Sequence, residues 1–356
     1  WARRLADFAE SRLEDAQGGF RRYRSTVDQA IVFKETLRRR KRQGQDTFVC
    51  FIDFRKAFDT VWHDGLWKAL WDQGVRGKAW RIVRSLYFSM QASVRLGDKT
   101  TREVKMSQGV RQGCPLSPTL FNYFINSLAK SLKESGQGLQ IEGLDVGSLL
   151  YADDVVLAAD SAEKLQGLID LVDTFCRKWH MDINLKKSEV MVVGKHDPCT
   201  LCKRAERAER DARVEHAKRV ASGEVVGKYE EGEPRACALC SQWMCRGVRL
   251  KVVRKYKYLG IWFTSDLRWQ THIDVTLGKA NKSTIGLGQV FRNGRIPARA
   301  KALVWLAKVR PKMDYGGEVW EANGPQEKRL EAVQTQAACR IFKLNRRTKT
   351  HAARGL

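Results

Sequence analysis

The sequence predicts an α+β protein, and three features carry that reading. Short β-branched and aromatic runs alternate with helix-period stretches through the middle of the 356-residue chain. From Asp266 onward the strand signals stop and the pattern is helical and basic. Apolar residues make up 43% and charged residues 29%, the balance of a chain that buries an ordinary core rather than staying disordered. The length suggests two or three domains.

Taken in order, residues 1–16 are mostly helix-compatible. Ser25-Thr26-Val27-Asp28 reads as a capping box opening a helix that runs into the basic cluster 38–42 and is closed by Gly44. The β-branched and aromatic run 47–53 is a buried strand. Helices follow at 64–73, stopped by Gly74, and at 77–89. Residues 90–96 and 100–105 flank Gly97-Asp98, a hairpin signal. A loop bearing Gly and Pro, 107–118, precedes an apolar helix that reaches about Glu134. Residues 149–152 and 155–159 are short strands with Asp153-Asp154 between them. A helix over 161–179 and a strand over 188–193 come next, and strand character returns at 247–253 and 258–263. The stretch 196–246 breaks this pattern: it is charged, Ala-rich in its middle and holds five of the nine cysteines.

Charge narrows the function classes. Lys and Arg number 65 against 40 Asp and Glu, a formal net charge of +25. A surface that basic favours a polyanion. No strongly basic amphipathic helix with a clean apolar face stands out, so nucleic acid is favoured over a membrane, although a merely soluble basic surface would carry the same charge. No apolar run approaches the ~18 residues that span a bilayer. An odd cysteine count without a leader segment argues against a secreted disulfide scaffold and for a reducing compartment. A start at Trp1 without Met reads as a fragment of a larger polypeptide.

Asp53 closes one strand, and Asp153-Asp154 lie between two others. Carboxylates in such apolar settings are costly unless paired with cations or metal. Meeting in space, they would form a hard-oxygen site suited to Mg²⁺. Alone, an Asp-Asp pair between strands is only a turn signal.

The surrounding residues add a resemblance. Phe51-Ile52-Asp53-Phe54-Arg55-Lys56-Ala57-Phe58-Asp59 and Tyr151-Ala152-Asp153-Asp154 resemble the two catalytic motifs of reverse transcriptases. Between them, 107–118 (Ser-Gln-Gly-Val-Arg-Gln-Gly-Cys-Pro-Leu-Ser-Pro) is similar to that family's nucleotide-side loop. Upstream, Gln17-Gly18-Gly19-Phe20-Arg21 with 24–29 resembles the fingers motif of non-LTR retrotransposon and group II intron enzymes. Downstream, 183–189 and Tyr256-Lys257-Tyr258-Leu259-Gly260 match the next two motifs. Residues 314–320 are similar to the thumb of non-LTR (LINE-type) elements. The resemblance covers nearly the whole chain except 196–246.

The resemblance implies a right-hand polymerase with an antiparallel palm sheet and an all-helical thumb. Partial fingers would occupy 1–46, catalytic palm 47–195, the insert 196–246, the end of the palm 247–265 and the thumb 266–356. Asp53 and Asp153 would coordinate two Mg²⁺ ions, with Asp154 as a supporting ligand and the Phe54 carbonyl as an extra one. Phe58 would exclude a 2′-hydroxyl, unless it is merely core. Gln112 and Gly113 would pack on the incoming sugar and template base. Lys187 would protonate the leaving pyrophosphate or act as a point charge, and Lys186 beside it is the alternative. Tyr258, Leu259 and Gly260 would grip the primer end. Trp269, Trp305 and Trp320 are expected as core anchors. The family's basic fingers hairpin would lie upstream of Trp1.

The implied activity is RNA-directed DNA synthesis from dNTPs on an RNA template and a DNA primer or target, as in target-primed retrotransposition. The implied setting is a larger polyprotein made in the cytoplasm and acting in the nucleus, neither secreted nor membrane-bound. The rivals are a group II intron-type or domesticated reverse transcriptase and an inactive nucleic-acid-binding relic. For the insert the resemblance gives no guide. Cys199-Thr200-Leu201-Cys202 and Cys237-Ala238-Leu239-Cys240 form two Cys-x-x-Cys pairs, the ligand set of one structural Zn²⁺. Cys245 or His196 is an alternative ligand, and free thiols in a flexible loop are the bland reading.

Overall fold

The computed structural model describes residues 1–194, 214–216, 222 and 243–344. Cys199, Cys202, Cys237 and Cys240 lie outside the described residues. The chain divides into two units, Trp1–Arg254 and Lys255–Leu356.

In the first unit, α1 (Ala2–Ala9) and α2 (Thr26–Arg42) precede β1 (Thr47–Ile52), α3 (His63–Asp72) and α4 (Gly77–Tyr87). Four two-residue strands follow: β2 (Gln91–Ala92), β3 (Arg95–Leu96), β4 (Lys99–Thr100) and β5 (Val104–Lys105). Then come α5 (Ser117–Glu134), β6 (Gln140–Ile141), β7 (Leu144–Asp145), β8 (Ser148–Tyr151), β9 (Asp154–Ala159) and α6 (Ala162–Trp179). The unit ends with β10 (Glu189–Val193), β11 (Met244–Cys245), β12 (Val248–Arg249) and β13 (Lys251–Val252).

The central sheet has the order β13-β10-β1-β9-β8. Its pairs are antiparallel, as expected, except for the short parallel edge pair β10–β13. Val49, Cys50, Phe51 and Ile52 are each no more than 2% exposed, so β1 is covered on both faces. Cys50 and Ile52 join the core with residues of α5 and α6, while Phe51 meets Phe33 of α2, ring centroids 5.9 Å apart. A strand covered on both sides reads as an unbroken apolar run, not as an alternation. On α5, Leu120, Phe121, Phe124, Ile125 and Leu128 are fully buried at helical spacing, each contributing about 1.5–3 kcal/mol.

Local chemistry sets the boundaries. Ser25 Oγ accepts from the Asp28 amide at 3.1 Å and the Asp28 carboxylate accepts from the Ser25 amide at 2.7 Å, the capping box read in the sequence. Other elements differ from expectation. Helix forms over only Ala2–Ala9 of the first sixteen residues. The 90–105 hairpin is broken into β2–β5 and β3–β4 pairs. The strand expected over 247–253 is split at Leu250: β12 pairs with β11 across the left-handed turn Arg246-Gly247, at φ 53° and 74°, and β13 pairs with β10. Arg246 is held there by Asp173 and Asp182, each at 2.6 Å. The β6–β7 hairpin went unread because its left-handed turn is Glu142-Gly143, not the usual Asn-Gly or Asp-Gly.

The second unit contains β14 (Lys255–Tyr258), β15 (Ile261–Thr264), α7 (Gln270–Gly286), α8 (Gly288–Arg292), α9 (Ala298–Lys308), α10 (Arg310–Asp314) and α11 (Gly324–Phe342). The strand expected over 258–263 is interrupted by the turn Leu259-Gly260, and this hairpin clusters with the helices that follow it. Ile273, Leu277, Trp305, Val333 and Ile341 form the helical core, with Trp269 and Trp320 packed against it. The three tryptophans are core anchors, as expected.

Candidate active site

Register brings the acids together. Ile52 pairs with Val155, so one step further along β1 brings Asp53 level with Asp154. Tyr151 pairs with Asp154, which makes Ala152-Asp153 the two-residue turn and places Asp154 on the strand. The pair expected between the strands is thus split, Asp153 lying in the turn and Asp154 opening β9.

Asp53 is fixed by its neighbours in the 183–189 segment. Its amide donates to Ser188 Oγ at 3.1 Å, and its carbonyl accepts from the Asn184 amide at 2.7 Å. Its Oδ2 accepts from Asn184 Nδ2 at 2.9 Å. No described Lys or Arg forms an ion pair with Asp53, Asp153 or Asp154. Burial holds Asp153 above the usual carboxylate range, and the charge of Asp53 adds to the push. Asp154 is pushed up to about 6, first by desolvation and then by the charges of Asp153 and Asp53. Its side chain retains exposure to solvent, so the dehydration comes from protein on one side rather than from enclosure.

Three mutually repelling carboxylates without a counter-cation are an oxygen donor set for a hard divalent ion. Among the described residues no three carboxylate, imidazole or thiol groups form a ready-made cage. Mg²⁺ does not need one, because one or two carboxylates with water and substrate phosphates complete its shell. The donor set fits the ion.

Five residues after Asp53, Phe58 joins an aromatic cluster. Phe58 stacks on Phe121 at 4.4 Å between centroids and meets the edge of Phe20 at 6.1 Å. The 107–118 loop is zipped to this segment: the Val110 amide donates to the Phe58 carbonyl and the Gly109 amide to the Val61 carbonyl, both at 2.8 Å. Gly109 sits at φ 90° with its missing Cβ 2.7 Å from the Asp59 carbonyl, a close approach only glycine allows. Gln112 Nε2 donates to the Asp59 carboxylate at 2.9 Å, and Gly113 faces open space. Phe54 is buried and its backbone bridges to Ile183. Lys186 and Lys187 are both exposed after that bridge, and the geometry does not choose between them.

Tyr258, Leu259 and Gly260 belong to the second unit. Leu259 and Gly260 both adopt positive φ, 44° and 86°, as a two-residue hairpin turn requires. Tyr315 donates its hydroxyl to the Leu259 carbonyl at 2.9 Å, and a Cβ on Gly260 would lie 2.8 Å from the Tyr315 ring. The Trp262 amide donates to His272 Nδ1 at 3.2 Å. Burial pushes that imidazole down to about 4 and keeps it neutral.

Asn184 and Ser188, which orient Asp53, were inside a quoted motif but carried no assigned role. Short polar residues beside a strand reveal such a role only once the pairing register is known.

Residues 1–263 match the family described as reverse transcriptase (RNA-dependent DNA polymerase). Over 195 residues, 54% of this chain and 27% of its relative, the sequence is 32% identical to the Retrovirus-related Pol polyprotein from type-1 retrotransposable element R2 of Popillia japonica. Over 347 residues, 94% of this chain and 33% of its relative, it is 25% identical to the Probable RNA-directed DNA polymerase from transposon BS of Drosophila melanogaster. The chain thus spans about a third or less of the length of these curated relatives. A solved telomerase from Candida tropicalis in complex with a TWJ fragment of telomeric RNA aligns over 97% of this chain and 47% of that one, at 12% identity and a TM-score of 0.47. That likeness is too loose to weigh. The relatives among retrotransposable elements agree with the non-LTR resemblance of the motifs. With a match that takes in β1, the 107–118 loop and the β8–β9 turn, the chain belongs to the reverse transcriptase (RNA-dependent DNA polymerase) family.

Proposed function

We propose that the chain is the polymerase core of a LINE-type retrotransposon protein, extending a primer with deoxynucleotides opposite an RNA template. The observation that carries the proposal is the convergence of Asp53, Asp153 and Asp154 at one end of the sheet, with no ion-paired Lys or Arg among the described residues. Asp53 and Asp153, with Asp154 and the Phe54 carbonyl in support, would hold two Mg²⁺ ions. When bound, these ions favour the alkoxide form of the primer end and offset charge on the phosphates.

The residues of the chain do the positioning. Asn184 and Ser188 set the rotamer and backbone of Asp53. The primer 3′-oxygen forms a bond to the α-phosphorus as the bond to the pyrophosphate oxygen breaks, with Lys187 or Lys186 placing a proton or a charge on the leaving group. The Phe58 ring, braced by Phe121, closes the space a 2′-hydroxyl needs. Gln112 and Gly113 pack on the sugar and template base. Tyr258-Leu259-Gly260 holds the primer end, and the basic surface binds backbone phosphates. The partners are RNA template, DNA primer or target and dNTPs, within a longer polyprotein that acts in the nucleus.

Cys199, Cys202, Cys237 and Cys240 would bind one Zn²⁺ that stabilises the insert and takes no part in nucleotide transfer. Elemental analysis of protein purified without chelator should find one zinc per chain. Metal-free protein would rule this out.

The test of the function is primer extension on an RNA template with dNTPs and Mg²⁺. Wild type should extend and Asp153→Asn should not. Equal behaviour of the two would favour the inactive relic.

A further inference from the structure

We propose that Gln17 is a positioning residue for the turn that carries Asp153, an inference that rests on the polymerase reading of that turn. Residues Ala16–Gly18 run alongside β8 as a parallel strip: the Leu150 amide donates to the Ala16 carbonyl and the Gly18 amide to the Leu150 carbonyl, each at 2.8 Å. The strip delivers a polar side chain into a fully enclosed position, for Gln17 is 0% exposed. There its Oε1 accepts two backbone amides, from Ala152 at 3.1 Å and from Gly19 at 2.7 Å. Its Nε2 points back at the Ala152 carbonyl, 3.5 Å away.

Ala152 is the strained member of the turn, with a left-handed φ of 57° that an alanine rarely adopts. Only the first residue of the turn is left-handed, a position usually filled by glycine, so with alanine there the conformation depends on an outside partner. Gln17 is that partner. The strip is itself anchored, because Asn122 of α5 donates to the Gly19 carbonyl at 2.8 Å from a buried position. Gly19 lies so close that a Cβ there would be 2.3 Å from the Ala152 nitrogen. The Ala152 backbone is therefore held by a strip that α5 anchors in turn. Rotation of that backbone would swing the Asp153 carboxylate away from Asp53, and Gln17 opposes it without touching substrate.

The test uses Gln17→Met, which keeps the length and loses the acceptor. Hydrogen exchange across 149–155 reads the turn directly and needs no activity. Gln17→Met should speed exchange at Ala152 by about tenfold or more, since the amide loses its partner. It should also lower kcat about 100-fold with the dNTP KM within about twofold of wild type, the pattern of a misplaced reacting group. Gly19→Ala, which presses a methyl onto Ala152, should reproduce the Met behaviour and serves if the Met variant does not fold. Unchanged exchange at the turn, or a loss confined to KM, would overturn the proposal. A wild-type chain that extends no primer would overturn the polymerase reading, and the exchange comparison would still decide whether Gln17 holds the turn.

Discussion

Phe58 is held between two other rings, the fully buried Phe121 beneath it and the half-exposed Phe20 at its edge. A braced ring rejects a substituent sterically, where a free one would swing aside. Phe58→Ala should therefore raise incorporation of ribonucleotides relative to deoxynucleotides by about tenfold or more in single-nucleotide extension. An unchanged ratio would make Phe58 a core residue only. The neighbouring acids carry a pH signature. Asp154 is raised from 3.8 to about 6 in the folded chain, so the folded state binds the proton more tightly than the unfolded one. Its contribution to stability is present below the unfolded value and is lost as pH rises through about 6. Without divalent metal, Asp154→Asn should therefore raise the melting temperature at pH 7 and have little effect at pH 4. A variant with the same gain at both would contradict the repulsion described. At this scale the three acids were legible through the motifs around them, since an Asp-Asp pair alone reads as a turn. Gln17, Asn184 and Ser188 were not, because a hydrogen bond to a backbone far away in sequence leaves no mark on local pattern.

The β14–β15 hairpin shows how an element can depend on a single imidazole. His272 Nδ1 accepts the Trp262 amide, which requires the ring to be neutral, and its Nε2 has no described partner in a buried position. The pKa lies at about 4 against an ordinary 6.5, mainly because burial disfavours the cation and secondarily because of Lys279. A depressed histidine contributes stability that is complete above the unfolded value of 6.5 and is lost as pH falls toward 4. A shift of that size corresponds to about 3 kcal/mol. Replacing His272 with Gln should reduce the loss of stability between pH 7 and pH 4 by an amount of that order, read by denaturant unfolding. An identical pH dependence in the variant would refute the role. Elements were legible in proportion to their length. The helices α5 and α6 and the strand β1 followed from apolar spacing and caps. The 90–105 hairpin followed from its Gly97-Asp98 turn, whereas the pairs around 244–252 did not, because they rest on long-range partners such as Arg246 with Asp173.

For the whole molecule, the net charge of +25 predicts binding set by phosphate contacts. Each phosphate neutralised adds about 0.7–0.9 to the slope of log affinity against log salt, so six to ten contacts cost about 10³–10⁵ in affinity between 50 and 200 mM. Fluorescence anisotropy of a labelled RNA–DNA primer-template over that range should show such a fall, and an affinity insensitive to salt would contradict it. The α+β class and the basic helical end were readable from composition and period. The division at Arg254/Lys255 was not, since it depends on the β14–β15 hairpin packing with the helices after it. The central claim is that the end of the sheet bearing Asp53, Asp153 and Asp154 performs RNA-templated DNA synthesis. Extension of a DNA primer on an RNA template, run with wild type and Asp153→Asn under dNTPs and Mg²⁺, tests it most directly. The account predicts full-length product from the wild type and loss of at least about 100-fold in rate from the variant, as expected when a group acting on the reacting atoms is removed. Synthesis that survives Asp153→Asn unchanged would contradict it.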